Sequence, residues 1–237
     1  MLPPTDPPLT DSLATRPQDA SRRRVRPVVA LRLLEVMRDQ DVPPEVLEEE
    51  DPTVTLPRRL GLSDVVGRQI RAYRKDVRRG SRLSDDELQD LLRLVIRRPD
   101  SEAIFFKVGE SLAGDGPSRW RRVIPKGIAL ALARTRVRKR LKFLFGRRMG
   151  GFGRGTFSVE GRALLFIQAD PGGDACALVS GLCKGALERV SGREAVVTHS
   201  LCQSRRDPLC RWEGSLLDTP AEVVLVEPVD ATAETPE

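Results

Sequence analysis

Residues 199–210, "HSLCQSRRDPLC", gather side chains that could bind a metal ion or carry redox chemistry. The segment holds the only histidine of the chain, His199, and two of its four cysteines, Cys202 and Cys210. Thiolate sulfur and imidazole nitrogen are preferred zinc ligands, and structural zinc sites use four of them in a tetrahedron. The same residues would also fit a redox pair of cysteines or an ordinary buried hairpin. The pattern predicts a candidate site and leaves three interpretations open.

The elements around this segment decide which side chains can meet. Two strands are expected to flank the loop "QSRRDPL" and to turn Cys202 and Cys210 inward. Strict alternation places His199 and Cys202 on opposite faces of a strand, so Cys202 is expected where the strand bends into the loop. Cys176 could be a fourth ligand, since it lies near a predicted helix N-terminus, where the dipole favours thiolate. Cys183 lies two turns further in and is expected to pack as a small buried apolar group. Because no CxxC pair is present, four core cysteines and a hydrogen-bonded histidine stay the alternative.

The sequence shows no catalytic constellation. A single histidine beside cysteines leaves no readable set of nucleophile, base and acid. The glycine-rich stretch "GGFGRG", residues 150–155, follows a predicted helix and opens a strand, whereas phosphate-binding loops follow a strand and open a helix. We interpret it as a helix stop, and no catalytic residue is assigned.

Composition limits the partners and the compartment. The chain has 237 residues and a net charge of +6, which permits contact with nucleic acid without establishing it. Aromatic residues make up only 4% of the chain, too few for a platform that stacks single-stranded bases. The proline-rich start lacks the apolar core of a secretory peptide, and no apolar run approaches the roughly 20 residues that span a bilayer. We therefore predict a cytoplasmic protein without membrane contact, in which clustered cysteines are reduced.

An arginine-rich segment, "RTRVRKRLKFLFGRR", offers a second candidate function. No acidic residue lies between Asp115 and Glu160, and a phosphate-contacting role would explain that imbalance. An apolar stripe on the same predicted helix, 128–145, favours instead the solvated face of an amphipathic helix. The stripe consists of Leu130, Val137, Leu141 and Leu144. Nucleic acid stays an alternative partner, and "RRLGLSDVVGRQIRAYRK" has only a weak likeness to a helix-turn-helix.

The order of the predicted elements gives an α+β fold. A helical half, with a capping box at Ser84 and Glu87, is followed by strands and one helix, which Gly192 ends. "TFSVEGRALLFIQADP" is expected to form two strands joined at Glu160 and Gly161, and "AEVVLVEPV" an edge strand. We divide the chain into a disordered tail 1–27, a helical region 28–115, an α+β ligand-binding core 116–228 and a disordered tail 229–237.

Residues 155–214 carry a longer pattern. A strand pair is followed by a Cys-led helix that contains glycine, an acid three residues before a cysteine, a turn, and a second cysteine followed by an aromatic residue. The matching residues are Cys176, Gly181, Gly185, Gly192, Cys202, Asp207, Cys210 and Trp212. The stretch resembles the core of the 4-vinyl-reductase (4VR) domain, found in bacteriochlorophyll 4-vinyl-reductase-type proteins and in sensor domains of phenol- and toluene-responsive regulators. The resemblance covers about sixty residues. It extends more weakly to "RRPDSEAIFFKVGESLA" and does not reach the first fifty residues.

The resemblance implies a fold, a ligand and a metal. The fold would be like that of TRAPP-type and haem-NO-binding-related domains, with helices against a twisted antiparallel sheet, and commonly dimeric. A small apolar or aromatic ligand would occupy a pocket. Zinc would be held by Cys176, Cys202 and Cys210, with His199 where the aromatic sensors have a glutamate. Arg206 stands where the family usually has glycine, which would cost on the order of 1 kcal/mol if that position needs a positive φ.

These observations together favour a non-catalytic small-molecule-sensing or regulatory domain with a structural zinc site. The ligand pocket is expected between the strands of residues 157–167 and the helices 128–145 and 175–190, lined by Phe143, Phe157, Leu165 and Leu178. An enzyme or accessory factor of tetrapyrrole vinyl reduction, of the bacteriochlorophyll type, is one alternative. A nucleic-acid-binding regulator that uses the arginine-rich helical half is the other.

Overall fold

The computed structural model describes residues 24–41, 64–114, 124–146, 157–162 and 165–217. Within these residues the helices precede most of the sheet, and the fold is α+β as the sequence predicts. The elements are α1 (Pro27–Gln40), α2 (Asp64–Arg79), α3 (Asp85–Ile96), α4 (Ser101–Leu112), α5 (Lys126–Phe145), β1 (Phe157–Gly161), α6 (Leu165–Ala169), α7 (Ala177–Ser191), β2 (Ala195–Leu201) and β3 (Cys210–Leu216). The predicted edge strand "AEVVLVEPV" lies outside the described residues.

Local signals in the sequence set several of these boundaries. Ser84 accepts a hydrogen bond from the backbone N–H of Glu87, whose carboxylate accepts one from the backbone N–H of Ser84, so the predicted capping box is confirmed. Gly192 ends α7 in a left-handed conformation with φ 67°, also as predicted. Val25, which the sequence analysis places in the tail 1–27, is buried and pairs with Leu83 in an isolated bridge.

The second strand predicted after Gly161 is wrong, because residues 165–169 form the short helix α6. Leu165, Phe166 and Ala169 are buried, and positions 165, 166 and 169 share a face of a helix. The ring of Phe166 meets that of Phe145 edge-on, with centroids 5.2 Å apart. A short apolar run suits a buried strand and a buried helix equally, and here packing against α3 and α5 decides.

Helix α5 buries one face, along most of the apolar stripe that the sequence predicts. Its buried residues are Ala129, Ala133, Val137, Leu141, Leu144 and Phe145, whereas Leu130 is only partly buried. Cationic residues such as Arg138 and Lys139 lie exposed on the outer face. Among the described residues, no helix is long and apolar enough to cross a membrane.

Helices α4 and α7 cross at backbone contact. A Cβ atom on Gly109 would lie 2.0 Å from the carbonyl oxygen of Leu178, and one on Gly181 would lie 2.0 Å from that of Phe106. Only glycine permits this approach, since no side chain fits between the two backbones. The crossing holds α7 against α4 and thereby fixes the position of its N-terminal end.

The sheet is three-stranded and antiparallel, in the order β1-β3-β2. Its central strand turns Cys210, Trp212 and Leu216 into the protein interior. Among the described residues, one hydrophobic core runs from Val25, just before α1, to Leu216 in the sheet. The two predicted regions, 28–115 and 116–228, therefore share a single core.

Candidate metal centre

An irregularity in β2 brings His199 and Cys202 to the same face of the sheet. His199 pairs with Trp212 and Leu201 with Arg211, so β2 has an extra residue between the two pairs. Such a β-bulge shifts the alternation of side chains by one position. Cys202, three residues after His199, thus returns to the inward face. The expectation that the chain bends at Cys202 is confirmed, because a short 3-10 turn (Gln203–Arg205) follows it directly.

The other two cysteines come from separate elements. Cys210 is the first residue of β3, two positions before Trp212 and so on the same inward face. Cys176 closes a 3-10 turn (Asp174–Cys176) that leads directly into α7. Three segments that are distant in sequence therefore supply the candidate ligands.

The four ligand atoms form one cluster. The sulfurs of Cys176, Cys202 and Cys210 and one imidazole nitrogen of His199 all lie within 4.8 Å of one another. The three cysteines are buried free thiols, and His199 is partly buried. A tetrahedral zinc ion with bonds of about 2.3 Å needs ligand atoms about 3.8 Å apart, so a small contraction would close the site. The cluster can hold a metal ion.

Cys183 takes no part in this cluster. Its side chain is completely buried within α7, and burial raises the pKa of its thiol. It packs as a small apolar group, as the sequence predicts, and Cys176 is the cysteine of this region that reaches the site.

Hydrogen bonding within the cluster favours one thiolate. A hydrogen bond from Cys176 is the largest influence on the Cys210 thiol. Together with hydrogen bonds from His199 and from the backbone N–H of Gln203, it lowers the pKa of that thiol in spite of burial. The Gln203 nitrogen lies 3.4 Å from the Cys210 sulfur. The same shared bond and burial raise the pKa of Cys176. The protein thus already stabilises negative charge on the sulfur of Cys210, as a cation-binding site requires.

His199 supplies the one nitrogen of the donor set. Its Nε2 atom is buried and has no hydrogen-bond partner among the described residues. Its ring stacks on Trp212, with centroids 4.8 Å apart and planes 6° from parallel. Three thiols and one imidazole nitrogen form a donor set that zinc prefers. The residues present fit a metal ion.

The loops beside the cluster are held by hydrogen bonds that the sequence analysis missed. The carboxylate of Asp170 is buried and accepts from the backbone N–H groups of Gly172 and Ala175, at 2.9 and 2.6 Å. Ser204 donates to the carbonyl oxygen of Asp170, which ties the two loops together. Asp207, the matched acid, accepts from the backbone N–H of Cys202 at 2.7 Å. The signal for Asp170 was the turn sequence "ADPGGDAC", in which aspartate commonly bonds backbone N–H groups.

Arg206 has a positive φ of 71° and is the only non-glycine residue with positive φ in the described part of the chain. A side chain at this φ costs about 1 kcal/mol. We expect Arg206→Gly to raise the free energy of unfolding by up to that amount, measured by urea denaturation of the metal-loaded protein. A loss of stability would show that the arginine side chain makes a compensating contact.

Of the four predicted pocket residues, three lie in the core and one lies at the surface. Phe157, Leu165 and Leu178 are buried, whereas Phe143 is 45% exposed on α5. The guanidinium groups of Arg26 and Arg140 lie 4.5 and 5.3 Å from the centre of the Phe143 ring. A ligand pocket shared by the four residues stays a prediction.

Comparisons with models of protein families and with curated proteins give no match to this chain. The likeness to the 4VR domain therefore stays an expectation, based on the residues between 155 and 214.

Proposed function

We propose that the protein is a non-catalytic regulatory domain in which one structural zinc ion is bound by Cys176, His199, Cys202 and Cys210. The convergence of these four ligand atoms, within 4.8 Å of one another, is the observation that carries the proposal. Three sulfurs and one nitrogen match the ligands that zinc prefers. Four protein ligands leave no open position for water or substrate, so the ion organises the fold and does not catalyse.

The zinc ion would join the start of α7 to the hairpin of β2 and β3. Gln203, Ser204 and Arg205, in the loop of that hairpin, have no fully buried side chain. Leu209 is the one buried apolar side chain between the two cysteines, and hydrogen bonds from Ser204 and to Asp207 hold the loop. A metal bond at each end, through Cys202 and Cys210, would add to this order. Because binding requires deprotonated thiols and a neutral imidazole, zinc affinity falls as the pH is lowered.

The sensing role is supported by the resemblance to the 4VR domain. The family pattern begins with a strand pair, of which this chain has β1 alone, followed by the short helix α6. The Cys-led helix and the hairpin are present, and the matched cysteines are the ones that meet in the cluster. We infer a domain of the 4VR family with a TRAPP-like fold, which binds a small apolar or aromatic ligand and forms a homodimer.

Native mass spectrometry of protein purified from its host without chelator tests this proposal. We expect the mass of the folded chain plus one zinc ion, and an additional small ligand in a fraction of the molecules. An absorbance spectrum of the same sample checks the enzyme alternative, because a bound pigment or flavin would favour tetrapyrrole reduction. Metal-free protein with an unchanged fold would overturn the zinc site.

A further inference from the structure

A groove of about 590 Å³ lies on the surface beside α5, apart from the metal cluster. Its described lining comes from the residues just after α4, from Ile124 before α5, from the outer face of α5 and from the C-terminal end of α7. The lining residues are Ala113, Gly114, Ile124, Leu132, Thr135, Arg136, Lys139, Arg140, Phe143 and Val190. The volume is within the 300–1,000 Å³ typical of small-molecule sites.

The floor of this groove includes a second apolar stripe of α5. Leu132 and Phe143 are 48% and 45% exposed, and Ile128, one turn before Leu132, is 54% exposed. Positions 128, 132, 139 and 143 lie along one side of the helix, and Ala133, Val137 and Leu141 on the other side fill the core. The core therefore does not account for the exposed stripe. Large apolar side chains clustered on a surface mark binding sites.

The charged part of the described lining is entirely cationic. Arg136, Lys139 and Arg140 line the groove, and no acidic residue does so among the residues described. Arg140 is held at the groove, because its Nε donates to the carbonyl oxygen of Leu112 at 2.6 Å and its guanidinium packs on the ring of Phe143. Nη2 of Arg136 lies 3.4 Å from where a Cβ atom on Gly114 would stand. Guanidinium and ammonium groups beside an apolar floor are complementary to a molecule with an anionic head and an apolar body.

We propose that this groove binds an amphipathic carboxylate, with its apolar body on Leu132 and Phe143 and its carboxylate beside Lys139 and Arg136. This deepens the proposed sensing function by naming a ligand class and a site, and it rests on that function for the role of the binding event. A second copy of the chain is a poorer occupant, because a face-to-face contact would bring the cations of both copies together.

Isothermal titration calorimetry with octanoate and with octan-1-ol tests the proposal on the zinc-loaded full chain. The two probes have the same hydrocarbon length and differ in charge. We expect one octanoate per chain, with a Kd at least about tenfold lower than that of octan-1-ol, since a hydrogen bond to a charged group is worth about that factor. Equal affinities, or no binding of octanoate, would overturn the proposal.

Three variants locate the site. Lys139→Gln is expected to raise the Kd for octanoate about tenfold and to leave that for octan-1-ol unchanged, whereas Leu132→Ser is expected to weaken both probes. Both side chains are exposed, so the fold tolerates their replacement. Arg138→Gln is the matched control, because Arg138 is exposed on the same helix and does not line the groove. An equal loss of octanoate affinity in Arg138→Gln would show a diffuse charge effect and overturn the site.

Zinc content and molar mass, measured on the same samples, separate this proposal from the proposed function. A folded, zinc-loaded chain that binds no octanoate overturns the groove alone. A chain that binds octanoate as expected but carries no zinc overturns the zinc site alone. A dimer that Leu132→Ser dissociates would assign the groove to a second copy and also overturn the carboxylate proposal.

Discussion

Cys210→Ser is expected to abolish stoichiometric zinc binding and to lower the melting temperature by about 8–16 °C. A ligand present at a thousandfold excess over its Kd stabilises the folded state by about 4 kcal/mol, and each kcal/mol corresponds to about 2–4 °C in a protein of this size. Cys210 begins the central strand β3, so its replacement removes the metal bond at one end of the hairpin loop. Metal analysis and calorimetry of the purified variant measure both effects.

Cys183→Ser is the matched control for this experiment. Cys183 is also a completely buried thiol, but it lies outside the cluster. The control should keep one zinc ion per chain, although burying a hydroxyl without a partner lowers its stability by about 1–3 kcal/mol. The zinc hypothesis fails if Cys210→Ser retains a full equivalent of metal, or if a chelator leaves the melting temperature of the unaltered protein unchanged.

Gly181→Ala is expected to lower the free energy of unfolding by about 3 kcal/mol or more. The new Cβ atom would lie 2.0 Å from the carbonyl oxygen of Phe106 and 3.0 Å from the nitrogen of Glu110, both of them backbone atoms. A backbone cannot rotate aside as a side chain does, so α4 and α7 must separate along their crossing. The cost therefore lies at the upper end of the range for overpacked cores. Urea denaturation measures it.

Gly127→Ala provides the comparison, since a Cβ atom on Gly127 meets nothing within 4 Å. It lies at the second position of α5, where alanine is expected to be neutral or to stabilise by up to about 1 kcal/mol. Equal stabilities for the Gly181 and Gly127 variants would show that the helix crossing is looser than the structure has it.

The metal cluster was partly predictable from the sequence, because its residue types are scarce and three of its members stand within twelve residues. His199, Cys202 and Cys210 stand within one hairpin, and the mismatch between a three-residue spacing and strand alternation predicted the bend at Cys202. The β-bulge that produces this bend depends on pairing with β3, which local sequence does not encode. The roles of Cys176 and Cys183 were separated by the helix dipole and by distance along the helix, and the cluster bears out that choice.

Elements that depend on distant packing were predicted less well. The run from Leu165 to Ala169 has no periodicity long enough to distinguish a strand from a helix, and its contact with Phe145 decides the outcome. Gly181 was noted only as part of the family pattern. Its role in the crossing requires Phe106, which is 75 residues away in the chain. The sequence around Gly181 does not indicate such a distant partner.

The β-bulge between His199 and Leu201 also constrains how this chain can change over evolutionary time. In a regular strand, residues two or four positions apart share a face, whereas His199 and Cys202 share one at a separation of three because of the extra residue. Removing that residue would restore the regular strand and, by the same step, shorten the spacing to two. A deletion of this residue would therefore change the ligand spacing and the strand register together. In a descendant sequence that keeps both ligands, a spacing of three would indicate that the bulge is kept, and a spacing of two that it is lost.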